Sequence, residues 1–494
     1  MNDSITNMDE LKLLYVKHPW LTTNNPAALT NIDQRIVDVF LGFEHTGGSF
    51  YNYNNPKAID AISFATEGYS KPNNITFYGK MGYRKSKEHS LNWNDVSFIA
   101  EENPFIIADS IGGNYDNEIF NLEGKVASQN ASGILKWGLS VSYKVGKKVD
   151  QTDPRPRISS MILSARPGIT LVHDNWEIGA NLLVSRFLEE VDFDVEDHYT
   201  NYHYFRFMGF GKYLVLSDDY FSRNYKGWNY GGSLQAQYKN TNWTNLLELQ
   251  LLSEYERAQE GTINTRFLSG DYSALTLNLT NRIRFLHDNG LNEIKLQGSL
   301  TEVKGKWFDQ KQVTGGDGTQ YWQVYNESIR YKKAIAKAGI QYNMIHQKKD
   351  GFTNHILSAG VQFQMDMGNF YPEGYKQDIY NLTGNIGGYK QWQLGKTNLS
   401  LNINLGYRYN LQSDLEIDQI LLVERVTYPD HYYRSTDNFQ LNGFIKFGLP
   451  YLFKSKVLPY LAFESRWIKT MDKVPYFDNN AYRLYSVIKM GVSF

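Results

Sequence analysis

The stretch AYRLYSVIKMGVSF, residues 481–494, decides how the rest of the chain is read. Counting back by twos from Phe494 gives Val492, Met490, Ile488, Ser486, Leu484 and Tyr482. The other phase holds Ser493, Gly491, Lys489, Val487, Tyr485 and Arg483. Successive side chains of a strand point to opposite faces, so one face is nearly all apolar and the other polar. Such a strand separates two solvents. Soluble sheets also alternate, so the reading needs support from elsewhere in the chain.

Composition supplies some of it. A chain of 494 residues suggests several domains unless it is one long barrel. The apolar fraction is a modest 41% and mean hydropathy is −0.49, yet aromatics reach 15%, with 36 Tyr and 10 Trp. That balance suits a thin apolar outer band around a wet interior rather than one large dry core. No run approaches the ~20 apolar residues that a membrane helix requires. The runs LLVSRFL (182–188) and ILLVERV (420–426) are broken by charge within one strand length. The absence of cysteine removes disulfides and thiolate metal sites and fits an exported protein. The start, MNDSITNMDELKLLYVK, lacks a basic n-region followed by an apolar h-region. If the chain is an outer-membrane protein, a signal peptide is expected to have been removed before residue 1. A net charge of −1 gives no reason to invoke nucleic acid.

Along the chain, residues 1–33 read as a segment apart. MDELKLLYVK (8–17) has the pattern of a short amphipathic helix, and HPWLTTNNPAALTN (18–31) is turn-rich. Residues 34–494 read as strands, near 34–45, 58–70, 74–90, 116–130, 133–149, 157–172, 175–191, 222–240 and 242–258. The remainder lie near 270–287, 291–308, 329–348, 352–369, 376–394, 397–414, 435–453, 456–472 and 479–494. The clearest is NLSLNINLGYRYNL (398–411), with Leu399, Leu401, Ile403, Leu405, Tyr407, Tyr409 and Leu411 on one face. Asn398, Ser400, Asn402, Asn404, Arg408 and Asn410 stand opposite, a face that must meet water. Every second connection is a tight run of turn formers: KPNN (71–74), NASG (130–133), NTN (240–242), HDNG (287–290) and KKDG (348–351). Those between are longer, notably near 91–115, 192–221, 309–328 and 415–434. Strict short/long alternation puts the tight turns and both termini at one end. Trp137, Trp176, Trp243 and Trp392 fall near tight turns on the apolar phase, as an interfacial girdle requires. The fold expected is all-β: a transmembrane antiparallel up-and-down barrel of about 18 strands, within a range of 16–18.

The closing strand with its terminal Phe494 resembles the last strand of bacterial outer-membrane β-barrels. That resemblance implies an outer-membrane location, contact with outer-membrane lipid, and recognition of the terminal aromatic by the barrel-assembly machinery. Asn25, Pro26 and Ala27 resemble the Asn-Pro-Ala element of fatty-acid-transporter-like barrels, whose N-terminal segment enters the lumen as a hatch. The alternative for residues 1–33 is a periplasmic tail ending in a Pro turn. Over its length the chain resembles a group of large outer-membrane barrels of Bacteroidota, which start Asn-Pro-rich and end in Phe.

If the apolar phase faces lipid, the other phase lines the lumen. Its cations include Lys80, Arg84, Lys125, Arg282, Arg284, Lys295, Arg408, Lys446, Arg466, Arg483 and Lys489. The acids read as inward are fewer: Glu123, Glu177, Glu248, Asp366 and Glu464. This predicts a basic wall that prefers anionic or strongly hydrogen-bonding solutes, unless loop carboxylates fold inside and neutralise it. Asp192, Asp194, Glu196 and Asp197 form the densest acidic cluster, either a solvated loop or an oxygen cage for calcium. Tyr432 and Tyr433 mark a second loop rich in aromatics, suited to stacking against a ligand or partner. No nucleophile elbow, His-Glu-x-x-His or phosphate-binding glycine loop occurs, and His198, Asp430 and His431 cannot be paired from sequence, so no enzyme is expected. No cofactor other than loop calcium is expected. Three functions fit: a channel or transport barrel for small polar solutes, hatch-gated uptake of hydrophobic ligands, or a loop-plugged accessory barrel that binds partner proteins in the membrane.

Overall fold

The computed structural model of the chain describes residues 18–32, 35–217, 220–261, 265–316, 318–347, 353–394, 397–419, 422–449, 457–471 and 473–494. The helix expected at 8–17 and the turn at 348–351 lie outside the described residues. The strands in chain order are β1 (Ile36–Gly47), β2 (Ala58–Ser70), β3 (Ile75–Leu91), β4 (Ile107–Asp109), β5 (Gly113–Gln129), β6 (Leu135–Val149) and β7 (Pro156–His173). Next come β8 (Trp176–Asp194), β9 (Tyr204–Gly209), β10 (Lys212–Leu216), β11 (Tyr220–Lys239), β12 (Trp243–Glu260), β13 (Phe267–His287) and β14 (Gly290–Thr314). The last are β15 (Gln320–Gln347), β16 (Thr353–Phe370), β17 (Tyr375–Leu394), β18 (Thr397–Glu416), β19 (Asn438–Gly448), β20 (Leu458–Thr470) and β21 (Tyr482–Ser493).

Eighteen of these form one closed antiparallel sheet in which sequence neighbours pair throughout. β4, β9 and β10 form a separate three-stranded sheet. The barrel closes where β1 meets β21, from Asp38↔Ser493 to Gly47↔Leu484. Reciprocal backbone bonds between Val37 and Phe494, at 2.8 and 2.9 Å, finish the seam. A closed sheet has no free edge, the only way β-structure crosses lipid without orphaned backbone groups.

The apolar phase faces out. Leu182 and Leu234 are each 64% exposed, Ile488 47% and Met490 51%, while Val487, in the opposite phase, is buried. Rows of Leu, Ile and Phe continue this way around the barrel, far beyond the few hundred Å² of apolar patch that a soluble monomer tolerates. Lipid is the solvent that this face fits. Trp176, Tyr238 and Trp243, on three consecutive strands, form a ladder with ring centroids 5.0 and 5.2 Å apart beside the tight turns. Trp137 and Trp392 are exposed at the same end. The turn end of the barrel therefore carries an aromatic girdle.

Three features differ from the sequence expectation. The segment 309–328 is not a loop: β14 and β15 run on through it as one hairpin, turning where Gly315 N–H donates to the Thr319 carbonyl at 2.8 Å. Alternation of connection length is not strict, because the turn between Phe370 and Tyr375 sits at the loop end and is tight, whereas the connection from Gly448 to Leu458 at the turn end is longer. Residues 415–434 hold the end of β18 and a helix, Tyr428–Ser435, in place of an irregular loop. The largest buried cluster is not in the wall. It lies inside the loop end, where Phe105, Ile107, Tyr204, Phe193 and Tyr225 pack together.

Candidate functional site: a lumen with two plugs

At the turn end, residues 18–32 pack against the inner wall. Asn25 caps a short 3-10 helix, Pro26–Asn31, its Oδ1 accepting from Ala27 N–H at 3.0 Å while Pro26 supplies a preset φ at the first position. Its Nδ2 donates into the wall, to the carbonyls of Ile169 (2.8 Å) and Ala180 (3.3 Å) and to Gln235 Oε1 (3.1 Å). Such close approach needs glycine in the wall. A Cβ on Gly138 would sit 2.5 Å from the Pro26 carbonyl carbon, and one on Gly168 would sit 2.3 Å from Asn25 Oδ1. These two are cross-strand partners on β6 and β7, so together they leave a dent shaped to Asn25 and Pro26. Around it Glu248 accepts from Asn24 N–H (2.9 Å), Arg166 donates to Asn24 Oδ1 (2.5 Å) and Lys136 donates to Asn31 Oδ1 (3.0 Å). Trp20, Leu29 and Ile32 bury the apolar side of the segment.

At the loop end, residues 92–109 fold inward as a second plug. Wall carboxylates hold its backbone: Glu189 accepts from Ser97 N–H (3.0 Å) and Phe98 N–H (2.6 Å), and Glu256 from Ala100 N–H (3.0 Å) and Asn103 Nδ2 (2.8 Å). Tyr225 donates to the Phe105 carbonyl at 2.9 Å. The fully buried Arg223 reaches the Phe105 and Ile106 carbonyls at 3.4 and 3.3 Å and is itself held by Glu260, with Nε at 2.9 Å. Arg206, from β9, pairs with the same Glu260. Asp95 in this plug accepts from Tyr115 and from Asp109 N–H, and burial together with the Asp109 charge pushes its carboxyl well above the usual carboxylate range. The bonds from Arg223 and Arg206 to Glu260 are charge-assisted in a dry site, stronger than neutral ones.

Between this plug, the β9–β10 hairpin and the helix Tyr428–Ser435 lies a cavity of ≈ 120 Å³. Glu101, Glu102, Lys333, Asp430 and Arg434 line it together with Tyr53, Tyr331 and Phe210. Lys333 Nζ lies 2.5 Å from Glu102, and Arg434 Nε lies 2.9 Å from Asp430. Burial pushes the Glu102 carboxyl up, but Lys333 and Arg434 outweigh it and hold the group down at about 2. The Asp430 carboxylate in turn raises Arg434 well above its ordinary value. This network could not be assembled from sequence, since its members come from three separate stretches.

Most of the cations expected along the lumen carry partners. Arg84 pairs with Glu44 (2.9 Å), Lys80 with Glu67 (3.8 Å), Lys125 with Glu123 (3.0 Å) and Lys489 with Glu464 (2.9 Å). Arg282 and Arg284 share Glu293, at 3.3 and 2.6 Å, and Lys295 stands opposite Arg282 in the register. Arg408 donates to the carbonyls of Tyr433 and Thr436, and Arg483 to those of Pro56 and Lys57. Lys446 lies 3.8 Å from the centre of the Tyr460 ring, and Arg466 lies in register with Asn442 and Tyr485. Glu44, Glu67, Glu189, Glu256, Glu260 and Glu293 are further acids on the inward phase. Strand acids, more than loop acids, pair with these cations.

The acidic cluster does not converge. Asp192 and Asp194 still belong to β8, Asp192 lying 3.5 Å from Arg157, while Glu196 pairs with Arg155 and Asp197 accepts from Tyr199 N–H and Thr200 within its own turn. Among the described residues no three His, Asp or Glu side chains are grouped to hold a metal ion. Tyr432 stacks on Tyr476 (5.7 Å), whereas Tyr433 packs on Phe50 (4.9 Å) on the other side of the helix.

A family model matches residues 26–494. The chain belongs to DUF6850, a family of unknown function. The DUF6850 match takes in the 3-10 helix of the turn-end plug together with the whole barrel. No curated protein is significantly similar to this DUF6850 chain. Among solved structures it is similar to the ferric preacinetobactin receptor BauA of Acinetobacter baumannii, at 8% identity and TM-score 0.37, covering 93% of this chain and 79% of that one. A Pseudomonas aeruginosa FadL homologue gives 12% identity and TM-score 0.33, with 95% and 92% covered. The unliganded ferric citrate transporter FecA gives 9% and 0.38, with 93% and 78% covered.

Proposed function

We propose that the chain is a gated transport barrel of a bacterial outer membrane, carrying small polar solutes past a displaceable N-terminal hatch. The girdled turn end faces the periplasm and the loop end faces outward. The observation that supports this is the seat of Asn25. It is made mostly of neutral hydrogen bonds to a wall hollowed by Gly138 and Gly168, bonds that water can replace one for one when the segment leaves. Behind the hatch the wall is polar, with Gln235, Glu248, Arg166 and Lys136. That lining suits hydrated solutes and disfavours uptake of hydrophobic ligands. Because the inward cations are compensated, selection by charge sign is expected to be weak.

Single-channel recording in planar bilayers tests the reading. The native barrel is expected to conduct little, and the double variant Asn25→Ala/Gly138→Val to conduct in bursts as the hatch leaves its seat. A double variant that folds, loses its hatch contacts and still stays silent would replace this reading with a permanently plugged accessory barrel that binds membrane partners.

A further inference from the structure

One patch of the lumen wall departs from that compensation. On the inner face of β13 and β14, toward the turn end, Arg282, Arg284 and Lys295 share a single carboxylate, Glu293. That carboxylate is fully engaged. Its Oε2 accepts from Arg284 Nε at 2.6 Å, its Oε1 from Asn343 Nδ2 at 3.1 Å, and Arg282 Nη1 spans both oxygens at 3.3 and 3.5 Å. Glu248, one register step along on β12, accepts instead from Asn24 N–H and Gln235, and its charge acts on Arg166. Three cations against one acid leave an excess of two positive charges on this patch.

The arrangement costs stability as it stands. Arg282 and Lys295 are direct cross-strand partners, and like charges opposite one another destabilise a sheet. Lys295 Nζ makes no hydrogen bond or ion pair among the described residues. Its neighbour on β15, Gln341, donates to Asn343 Oδ1 at 3.1 Å instead. Arg282 uses only Nη1, and its Nε is buried without an acceptor, so the Nε–Nη2 edge is unused. That edge presents two parallel N–H bonds, the geometry that holds an oxyanion through two oxygens. One inward step up the wall, Thr280, Gln297 and Gly339 lie in register; all are uncharged, and the glycine leaves room. On the other side Leu246, the register partner of Arg282 on β12, packs with Trp20, so the patch borders the hatch.

We propose that this patch binds a phosphate group, inorganic or as a monoester. A phosphate monoester carries about −1.5 to −2 charge at pH 7, which matches the excess. Two of its oxygens accept from Arg282, a third accepts from the Lys295 ammonium, and the rest of the molecule points into the lumen. Calling such an anion cargo rests on the transport reading; the binding itself does not.

Calorimetric titration of the full chain in non-ionic detergent micelles tests the site, with inorganic phosphate, glycerol phosphate, acetate and chloride as probes. The two phosphates are expected to bind one to one, and acetate and chloride at least tenfold more weakly. Lys295→Gln, which breaks no ion pair, is expected to weaken phosphate at least tenfold, and Arg282→Gln serves as the second variant. Arg84→Gln, whose partner is Glu44, is expected to leave phosphate affinity unchanged. Absence of phosphate binding, equal binding of acetate or chloride, unchanged affinity in a folded Lys295→Gln, or an equal loss in Arg84→Gln would overturn the proposal. Phosphate binding alongside a silent hatch variant would remove the transport reading and leave the site standing. A conducting hatch variant that ignores phosphate would do the reverse.

Discussion

The two plugs fill the same barrel by different chemistry. The turn-end plug offers amide and carbonyl groups to a wall that glycine has hollowed out, and the residue at its centre, Asn25, carries no charge. The loop-end plug is gripped by carboxylates and a fully buried arginine, and it sits in the largest buried cluster of the molecule. Leaving the first seat exposes the neutral groups around Asn25, which water satisfies, together with Trp20, Leu29 and Ile32, whereas leaving the second uncovers the Arg223–Glu260 charge pair inside the largest buried cluster. On the proposed reading, that difference gives motion to one end and shape to the other.

The largest effect that would test this contrast is at Glu260. Glu260→Ala leaves Arg206 and Arg223 buried without their carboxylate, a loss of about 3–5 kcal/mol. Hydrogen exchange is expected to show residues 92–109 unprotected while the amides of residues 25–31 are unchanged. Equal loss at both ends would make the plugs one cooperative unit.

Next is the pH dependence of Glu102. Its folded pKa, about 2, lies below the ordinary 4.5, so its contribution is fully present above about pH 4.5 and is lost as pH falls toward 2. The shift corresponds to roughly 3 kcal/mol. The difference in exchange protection of the loop-end plug between the native chain and Glu102→Gln is expected to be constant above pH 4.5 and to close toward pH 2. A gap that persisted at pH 2 would mean that packing, not charge, secures this plug.

Gly138→Val puts a branched side chain where the Pro26 carbonyl carbon stands only 2.5 Å from an ideal Cβ. Hatch occupancy is expected to fall by up to about 3 kcal/mol, read as proteolytic cleavage between residues 18 and 32 in an intact barrel. Smallest is Asn25→Ala, which removes the cap and the wall bonds for about 1–2 kcal/mol, read as a shorter closed time in bilayer recordings. If Asn25→Ala exceeded Gly138→Val, shape would matter less than hydrogen bonding in the seat.

What the sequence revealed follows from what surrounds each residue. Lipid outside and polar groups inside impose a period of two on every crossing, so Leu399 to Leu411 and Tyr482 to Phe494 could be phased without neighbours. Where the hairpin of β14 and β15 leaves the lipid, that pressure stops, and Lys311 to Val324 read as a loop although Gly315–Gly318 marks its turn. The helix Tyr428–Ser435 has no clear signature in the sequence because it is short and contains Pro429. Within the lumen, the phase of Glu189 and Glu256 was available from alternation, but their role was not. It depends on the path of residues 97–103, which returns the chain to strands far away in sequence. Asn25 and Pro26 were legible as a motif, whereas the glycines opposite them were not, because a strand glycine looks the same whether it faces a plug or open water.

Ile32, the last described residue of the hatch, is four steps of chain from Ile36, where the wall begins. Four steps span at most about 14 Å. The segment is thus on a short leash fastened at β1, while its seat lies on β6 and β7, several strands around the circumference. If the segment leaves its seat as proposed, it swings about that anchor rather than dropping away, and the crescent it vacates lies beneath β6 to β8.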